Sequence, residues 1–356
     1  MTNSRKHVGI LRSLGALILA ALLSAAMLYG LHAIYQANFN SSALTMPYYL
    51  LFAISTFVLF LLLLLPANRP AKGFKTFVRW FLIIVLGLGI WAAGAVWNLQ
   101  NERLFLPGHY QASDVELVKA EPDTEHVSVQ GKGGLTYDGW LWKNAPQGKV
   151  GLIIYFGGNG EFAARAIYTY ATNAAFAQAL AGFNVLTIDY PGYGLSQGEV
   201  GEEGIHQMAL AAWDYAQSRA DVDTARIVLA GWSLGTGAAS RLADEKEPAG
   251  LILMAPFYSG AELLNNYVGF RAFDGWFSKL VRNKFQNNFH AVATETEALI
   301  IAAKDDVMIA PAQAERLAAL YPRHIYILVA GGHDAAKFSP ESAAAIYSFL
   351  QRMLTR

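Results

Sequence analysis

Residues 225–239 read ARIVLAGWSLGTGAA. The apolar run 227–231 leads through Trp232 and Ser233 directly into a stretch of small residues with the character of a buried helix. The glycines at 231 and 235 suit a tight turn that leaves no room for side chains beside Ser233. The pattern therefore predicts a strand, a sharp turn and a helix, with Ser233 projecting from the turn.

Short apolar runs alternate with helical segments on both sides of this turn. The runs that predict strands are 126–129, 135–142, 150–156, 185–189, 227–231, 251–255, 299–303 and 325–329. The segments that predict helices are 162–180, 202–218 and 234–243. The glycine-rich stretch 131–134 predicts a hairpin between the first two strands. Strands that are apolar on both faces and alternate with helices indicate a mostly parallel sheet covered by helices on both faces. We expect one such α/β domain over residues 105–356.

The first hundred residues have a different composition. They contain seven basic residues, no Asp or Glu, and three uncharged apolar runs at 14–35, 48–65 and 80–99. Each run has about the 17–25 residues that a helix needs to cross a bilayer, and the first is too long for the apolar part of a cleaved signal peptide. We therefore expect an all-α membrane domain of three transmembrane helices over residues 1–100.

The distribution of charge predicts the orientation of that domain. Three basic residues precede position 14 and four lie in the loop 66–79, whereas the loop 36–47 has none. Because cytoplasmic loops carry the excess of Lys and Arg, the N-terminus is expected in the cytoplasm and residues after 99 on the outer, periplasmic or extracellular side of the inner or plasma membrane. The formal net charge of zero combines +7 in residues 1–100 with −7 in the rest. The expected partner is thus a lipid bilayer and not a nucleic acid.

Two later turns could complete a catalytic site with Ser233. A serine hydroxyl becomes a useful nucleophile only when a base removes its proton. His333 follows the last predicted strand, and Asp305 and Asp306 follow the strand before it. A carboxylate and an imidazole would therefore meet at the sheet edge where Ser233 projects, the carboxylate fixing the imidazole tautomer. We predict Ser233 as nucleophile and His333 as base, with Asp305 or Asp306 as the acid.

With these residues the chain resembles the alpha/beta-hydrolase superfamily, in particular its small serine esterases with little cap. The acid turn of that group typically reads G-x-x-D-x-x-V-P. Aligned with residues 302–309, this pattern places Asp305 on the acid and leaves Asp306 as a loop or helix-start carboxylate, with Met308 and Ile309 at the valine and proline positions. The resemblance covers about 127–354. It implies an alpha/beta-hydrolase fold and a Ser233–Asp305–His333 triad.

A third turn, 157–160, reads GGNG after the strand 150–156. The superfamily usually has His-Gly here, and Gly157 stands in the place of the histidine. The resemblance implies that the backbone N–H groups of Asn159 and Leu234 form the oxyanion hole, next to the helix N-terminus behind Ser233. Gly157 and Gly160 are explained equally well by a turn that needs positive φ.

A second G-x-S-x-G pattern occurs at 194–198. It follows a loop instead of a strand and leads into glutamates and glycines instead of a helix, so Ser196 is predicted to be a loop residue. Just before it, Asp189 resembles the superfamily's strand-end carboxylate, which organises a loop and does not take part in catalysis.

The segment 257–292 interrupts the alternation and predicts a small lid. Residues 257–289 contain nine aromatic residues and four basic residues against two acidic ones. The segment is either a lid packed on the sheet or an apolar, basic flap that touches anionic headgroups or admits an acyl chain. Since the predicted domain begins within ten residues of position 99, we expect a lipid ester, or an acyl ester or thioester presented at the membrane, as substrate.

The sequence also excludes several classes. The chain has no cysteine, which excludes a disulfide framework, a thiol nucleophile and a thiolate metal site, and no dinucleotide fingerprint follows a strand. No cofactor and no metal are expected. Two alternatives remain. A serine peptidase of the same fold would need an amine-binding carboxylate, which Glu199, Glu202 or Glu203 could supply. A non-catalytic membrane scaffold would have no need of an intact Ser–Asp–His set.

Overall fold

The computed structural model describes residues 104–108, 112–145, 148–268 and 275–355, and four isolated positions, 87, 94, 100 and 101. By its internal contacts the chain divides into two units, Met1–Leu99 and Gln100–Arg356. The predicted spans 14–35, 48–65 and 80–99 lie outside the described residues, apart from two isolated positions. Within the part of the chain that is described, no helix combines the length and the apolar character needed to cross a bilayer.

An eight-stranded sheet organises the second unit. Its strands are β1 Thr124–Gln130, β2 Thr136–Trp142, β3 Val150–Phe156, β4 Phe183–Ile188, β5 Val222–Trp232, β6 Gly250–Met254, β7 Ala298–Ala303 and β8 His324–Val329. They lie in the order β1-β2-β4-β3-β5-β6-β7-β8. The first two pairings, β1 with β2 and β2 with β4, are antiparallel, and every other pairing is parallel. The mostly parallel α/β sheet predicted from the sequence is confirmed.

Helices connect the parallel strands. The α-helices of the described residues are α1 Ala112–Ala120, α2 Ala163–Thr172, α3 Ala174–Ala179, α4 Glu202–Ser218, α5 Gly235–Lys246, α6 Gly260–Val268, α7 Asn287–Ala293, α8 Pro311–Ala318, α9 Ala335–Phe338 and α10 Pro340–Leu354. Short 3-10 helices occupy Lys132–Gly134, inside the predicted hairpin, and Gly275–Leu280. Long crossover connections of this kind are what parallel neighbours require.

Both faces of the central strands are buried. In β3, Ile153 and Tyr155 belong to the core cluster that includes residues of α2, α3 and α10. Leu152 and Ile154, which point to the opposite face because side chains alternate along a strand, are also buried. Two covered faces explain why these strands read as continuous apolar runs.

The single helix predicted over 162–180 is instead two helices. The backbone of Asn173 is extended, and its side-chain carbonyl accepts hydrogen bonds from the N–H groups of Ala175 (3.1 Å) and Phe176 (3.4 Å). Asn173 therefore ends α2 and caps the N-terminus of α3, a role for which asparagine is strongly preferred.

Candidate active site

Ser233 lies at the turn between β5 and α5. Its φ is 52°, in the left-handed region that residues other than glycine rarely adopt, and its N–H donates to the carbonyl of Met254 at the end of β6 (2.9 Å). Only 9 % of its surface is exposed. A buried serine held in such a conformation at a strand–helix turn marks a constrained position that is a candidate for function.

Only glycine fits at positions 231 and 235, because neighbouring backbone occupies the space that a side chain would need. A Cβ on Gly231 would lie 2.5 Å from the carbonyl oxygen of Gly235, and a Cβ on Gly235 would overlap the carbonyl oxygen of Phe156 at the end of β3. The first turn of α5 thus touches the backbone that leads into the turn 157–160. This close approach brings that turn beside Ser233.

His333 follows β8 and is hydrogen-bonded to Asp306, which follows β7. The distance from His333 Nδ1 to Asp306 Oδ2 is 2.7 Å, and the exposed fractions of the two side chains are 10 % and 1 %. The other carboxylate oxygen, Oδ1, accepts from the N–H groups of Met308 and Ile309, both at 2.8 Å. Asp306 is therefore held firmly, and its bond to Nδ1 leaves Nε2 of the neutral imidazole available as a base.

The partner expected for His333, Asp305, is corrected to Asp306. The side chain of Asp305 is exposed, and its N–H donates to the carbonyl of Gly331 (2.9 Å). Adjacent residues point in different directions as the chain leaves β7, so only one of the two carboxylates can face His333. The imperfect fit of residues 308 and 309 to the superfamily pattern is the signal that the alignment was one residue out.

The indole of Trp232 connects His333 to the serine turn. The rings of Trp232 and His333 lie 5.5 Å apart between centroids, and Trp232 directly precedes Ser233. The C-terminal ends of β5, β7 and β8 lie at the same edge of the sheet because these strands run parallel. The structure thus brings Ser233, Asp306 and His333 to one edge.

The two residues predicted to form an oxyanion hole lie in segments that pack against each other beside the serine turn. Leu234 follows Ser233 with helical dihedrals, φ −52° and ψ −39°, at the start of α5. Asn159 lies in the turn 157–160, where a Cβ on Gly158 would be 2.6 Å from the ring of Trp232. The turn and the helix start therefore lie close together. That their N–H groups serve a common oxygen stays a prediction.

Two tyrosine side chains and one backbone N–H that the sequence did not single out hold this turn. Tyr190 donates its hydroxyl to the carbonyl of Gly157 (2.5 Å), and Tyr193 donates to the side-chain oxygen of Asn159 (2.9 Å). That oxygen also accepts from the N–H of Leu106 (2.8 Å). Burial raises the pKa of Tyr190 well above its ordinary value, so the hydroxyl remains a donor. Both tyrosines belong to the motif at 189–194, in which the resemblance points to Asp189 alone.

Ser196 and Asp189 have structural roles. Ser196 is buried in the loop after β4, where its hydroxyl donates to the carbonyl of Asp189 (2.7 Å) and accepts from the N–H of Asp138 (2.9 Å). Asp189 accepts from the N–H of Ala163 at the start of α2 (2.7 Å). The hydroxyl of Ser196 thus ties its loop to β2.

Three further histidines of the second unit lie away from Ser233 or against other partners. His206 in α4 pairs with Glu245 (3.1 Å) and His290 in α7 with Asp244 (2.8 Å). His324 begins β8, at the end of the strand opposite to His333.

The described part of the segment 257–292 packs against the domain. Phe257 and Phe285 are buried with their ring centroids 5.9 Å apart, and Phe285 covers Gly237 of α5. In α6, the Asn266 side chain donates to the carbonyl of Met308 in the acid turn (2.9 Å). These contacts support the packed-lid alternative for both ends of the segment. Residues 269–274, which include Phe270 and Phe273, lie outside the described residues.

Comparison with known proteins gives one family match and several relatives. Residues 151–321 match the family model described as serine aminopeptidase, S33. A Mycobacterium tuberculosis protein that carries the description "uncharacterized" is 28% identical over 244 residues, which are 67% of this chain and 82% of that one. The lysophosphatidylserine lipase ABHD12 of Rattus norvegicus is 29% identical over 204 residues, 53% of this chain and 48% of the lipase.

Solved structures resemble the second unit in fold. The esterase Pf2001 of Pyrococcus furiosus superposes with a TM-score of 0.53 at 17% sequence identity, covering 70% of this chain and 95% of the esterase. At this identity the likeness concerns the fold alone.

Proposed function

This chain has the alpha/beta-hydrolase fold, and from that premise we propose that it is a membrane-anchored serine hydrolase. Its reaction is the cleavage of carboxylic ester or thioester bonds in lipid-like or acylated substrates. The observation that carries the proposal is the placement of Ser233, in its constrained turn, at the same sheet edge as the hydrogen-bonded pair His333–Asp306.

The proposed reaction passes through an acyl-enzyme. Ser233 Oγ attacks the substrate carbonyl carbon while its proton passes to His333 Nε2, and Asp306 stabilises the imidazolium. The backbone N–H groups of Asn159 and Leu234 donate to the oxyanion that develops. The alcohol or thiol leaves with the proton from His333. Water then attacks the acyl-enzyme, giving its proton to His333, and the free carboxylic acid and Ser233 are restored.

Apolar surface around the site supports a lipid-like substrate. Val307 and Met308, next to Asp306, have 96 % and 48 % of their surface exposed. Leu106, which donates its N–H to Asn159, is also exposed. The name of the ABHD12 relative refers to lysophosphatidylserine, a lipid ester. An apolar rim suits an acyl chain or a bilayer surface better than a polar substrate.

A peptidase is the second candidate, because the matching family model is described as a serine aminopeptidase. Two of the three carboxylates that could bind a substrate amine, those of Glu202 and Glu203, are engaged elsewhere, whereas Glu199 is exposed. Glu202 accepts from the N–H of Lys284 (2.6 Å), and Glu203 pairs with Arg241 (3.1 Å). These contacts count against Glu202 and Glu203 as amine-binding groups, so a peptidase would depend on Glu199.

Activity-based labelling tests the nucleophile. Membranes that contain the full chain are treated with a fluorophosphonate probe, comparing wild type with Ser233→Ala and Ser196→Ala. We expect wild type and Ser196→Ala to be labelled and Ser233→Ala to remain unlabelled. Labelling that persists in Ser233→Ala and disappears in Ser196→Ala would contradict the assignment, and an unlabelled wild type would favour the non-catalytic scaffold.

Two further measurements test the substrate class and the location. A p-nitrophenyl ester assayed beside an aminopeptidase substrate separates esterase from peptidase, and we expect hydrolysis of the ester.

A reporter that is active only in the cytoplasm, fused after Arg356, is expected to be silent, since we propose that the catalytic domain lies on the outer side of the inner or plasma membrane. An active reporter would overturn this orientation.

A further inference from the structure

Lys337 is a buried cation next to the proposed site. It lies in the single-turn helix α9, four residues after His333, and none of its surface is exposed. Its ammonium group lies 4.6 to 5.1 Å from the centres of four aromatic rings, those of Trp232, Phe338, Tyr155 and Tyr170. Lysine is almost never fully buried unless it is paired.

The partner of Lys337 is Glu161, which closes the proposed oxyanion turn. One carboxylate oxygen, Oε1, accepts from Lys337 Nζ. The other, Oε2, accepts from the hydroxyl of Tyr155 (2.7 Å) and from the N–H of Gly158 (3.1 Å). The N–H of Glu161 donates to the carbonyl of Gly158 (3.1 Å). Gly158, held at both its N–H and its carbonyl, immediately precedes Asn159.

The ion pair therefore joins two segments that are far apart in the sequence. Glu161 fixes the turn that carries Asn159, and Lys337 belongs to the helix that begins two residues after His333. Trp232 lies between them, with its ring against the Lys337 ammonium, the His333 imidazole and Gly158. All three parts of the proposed machinery meet at this contact: the serine turn, the histidine loop and the oxyanion turn.

Stability alone does not account for such a pair. Removing two charges from water is costly, and replacing a buried ion pair with apolar residues is often neutral or stabilising. Burial lowers the pKa of Lys337, and the attraction of Glu161 opposes that shift. A cation kept in an enclosed site at this cost is better explained by the geometry that it maintains.

We propose that Lys337 is a positioning residue, which acts through Glu161 to hold the N–H of Asn159 at the oxyanion and to fix the oxyanion turn relative to the histidine loop. The proposal rests on the hydrolase function proposed above. Lys337 does not touch the reacting atoms in this scheme. Its removal should weaken the binding of the transition state and leave the binding of the substrate nearly unchanged.

The test compares Lys337→Met, Glu161→Gln and the double variant in the purified full chain, with Lys143→Met as the matched control. Lys143 also pairs with a glutamate, Glu125 (2.8 Å), but at the surface. Active sites are titrated with a fluorophosphonate, so that kcat refers to folded, reactive protein. The readouts are kcat and KM for a p-nitrophenyl ester and the affinity for a trifluoromethyl ketone, which forms a tetrahedral adduct with the serine.

We expect Lys337→Met to lower kcat per active site at least tenfold with less than a twofold change in KM. The affinity for the ketone should fall in parallel with kcat/KM, and Lys337→Arg should recover part of the loss. The double variant has no uncompensated buried charge, so it keeps the test valid if the single variant does not fold, and it should show the same loss of kcat.

Two results would overturn the proposal. One is a kcat per active site within twofold of wild type in the folded double variant, which would make the pair purely structural. The other is a fall in kcat per active site in Lys143→Met equal to that in Lys337→Met, which would make the effect nonspecific. Absence of both labelling and ester hydrolysis in wild type would refute the proposed function itself and is thereby distinguishable from a failure of Lys337 alone.

Discussion

At the scale of single residues, Asp306 has the contacts of a carboxylate that orients an imidazole. Its two oxygens accept three hydrogen bonds, from His333 Nδ1 and from the N–H groups of Met308 and Ile309. The backbone donors fix the carboxylate before any substrate arrives. Asp305, one residue earlier, is exposed and lacks this environment.

We predict that Asp306→Asn lowers kcat for an ester substrate by about three to four orders of magnitude, because an amide favours the wrong imidazole tautomer and cannot stabilise its cation. Asp305→Asn should retain kcat within about twofold. Steady-state kinetics on the purified full chain measure both. The opposite ranking would restore Asp305 as the acid.

The contrast between these two aspartates shows how far sequence reasoning reaches at this scale. Strand ends and the order of serine, acid and base located the turns at 233, 304–306 and 333. The choice between two adjacent carboxylates depends on the direction of the chain after Ala303, which no periodicity encodes. Likewise, the pairing of Lys337 with Glu161 spans 176 positions, and a lone lysine in a short helix reads as a surface residue.

At the scale of elements, the contact between the start of α5 and the end of β3 defines the site. Because residue 235 is a glycine, the start of α5 can approach β3 closely. The Cα of Gly235 then faces the carbonyl of Phe156. The strand–turn–helix character of this region was predictable, since the glycines and the small helix residues are local signals. The break between α2 and α3 is not predictable from periodicity, because the capping role of Asn173 competes with a long apolar pattern.

We predict that Gly235→Ala destabilises the protein by about 3 kcal/mol or more, because the added methyl group overlaps backbone that cannot move aside. For a domain of this size, the corresponding fall in the thermal midpoint is roughly 6–12 °C. Thermal unfolding of the purified chain measures the change.

Gly201→Ala is the control for this prediction. The backbone there is extended, at φ 166°, and the nearest heavy atom to an added Cβ is 3.6 Å away. Its midpoint should stay within about 2 °C of wild type. An equal fall in the thermal midpoint for Gly201→Ala and Gly235→Ala would mean that the close approach at Gly235 does not cause the destabilisation.

At the scale of the whole molecule, buried tyrosines make the fold sensitive to alkali. Burial raises the pKa values of Tyr155, Tyr170, Tyr190 and Tyr321. In the unfolded chain these phenols ionise near pH 10, whereas in the folded chain they keep their protons. The folded state then binds more protons than the unfolded state, so the free energy of unfolding falls as the pH rises above about 10.

We predict that in Tyr321→Phe the free energy of unfolding falls less steeply as the pH rises above about 10. Each such tyrosine contributes up to about 1.4 kcal/mol per pH unit, and the variant loses one of them. Below pH 10 the variant should be less stable by about 1 kcal/mol, since the contact with Ser240 (3.2 Å) is lost. Denaturation at pH 9 and pH 11 gives the change in the free energy of unfolding with pH. The control is Tyr347→Phe, since Tyr347 is exposed. Parallel slopes in all three proteins would contradict the prediction.

The organisation of the second unit was largely predictable from its sequence, because apolar runs of strand length separated by helices allow few topologies. The strand order, with β4 between β2 and β3, depends on pairings between distant segments. The spans predicted in residues 1–100 remain predictions, and the reporter fusion described above tests their orientation.

The enclosed amine of Lys337 has a practical consequence for chemical footprinting. A reagent that acylates amines reaches exposed lysines such as Lys304 in the native protein, but it reaches Lys337 only when the shell of aromatic rings opens. Modification at this position therefore reports the opening of the region that contains the serine turn, the oxyanion turn and the histidine loop. The rate of that modification gives the free energy of opening at the one place where all three meet.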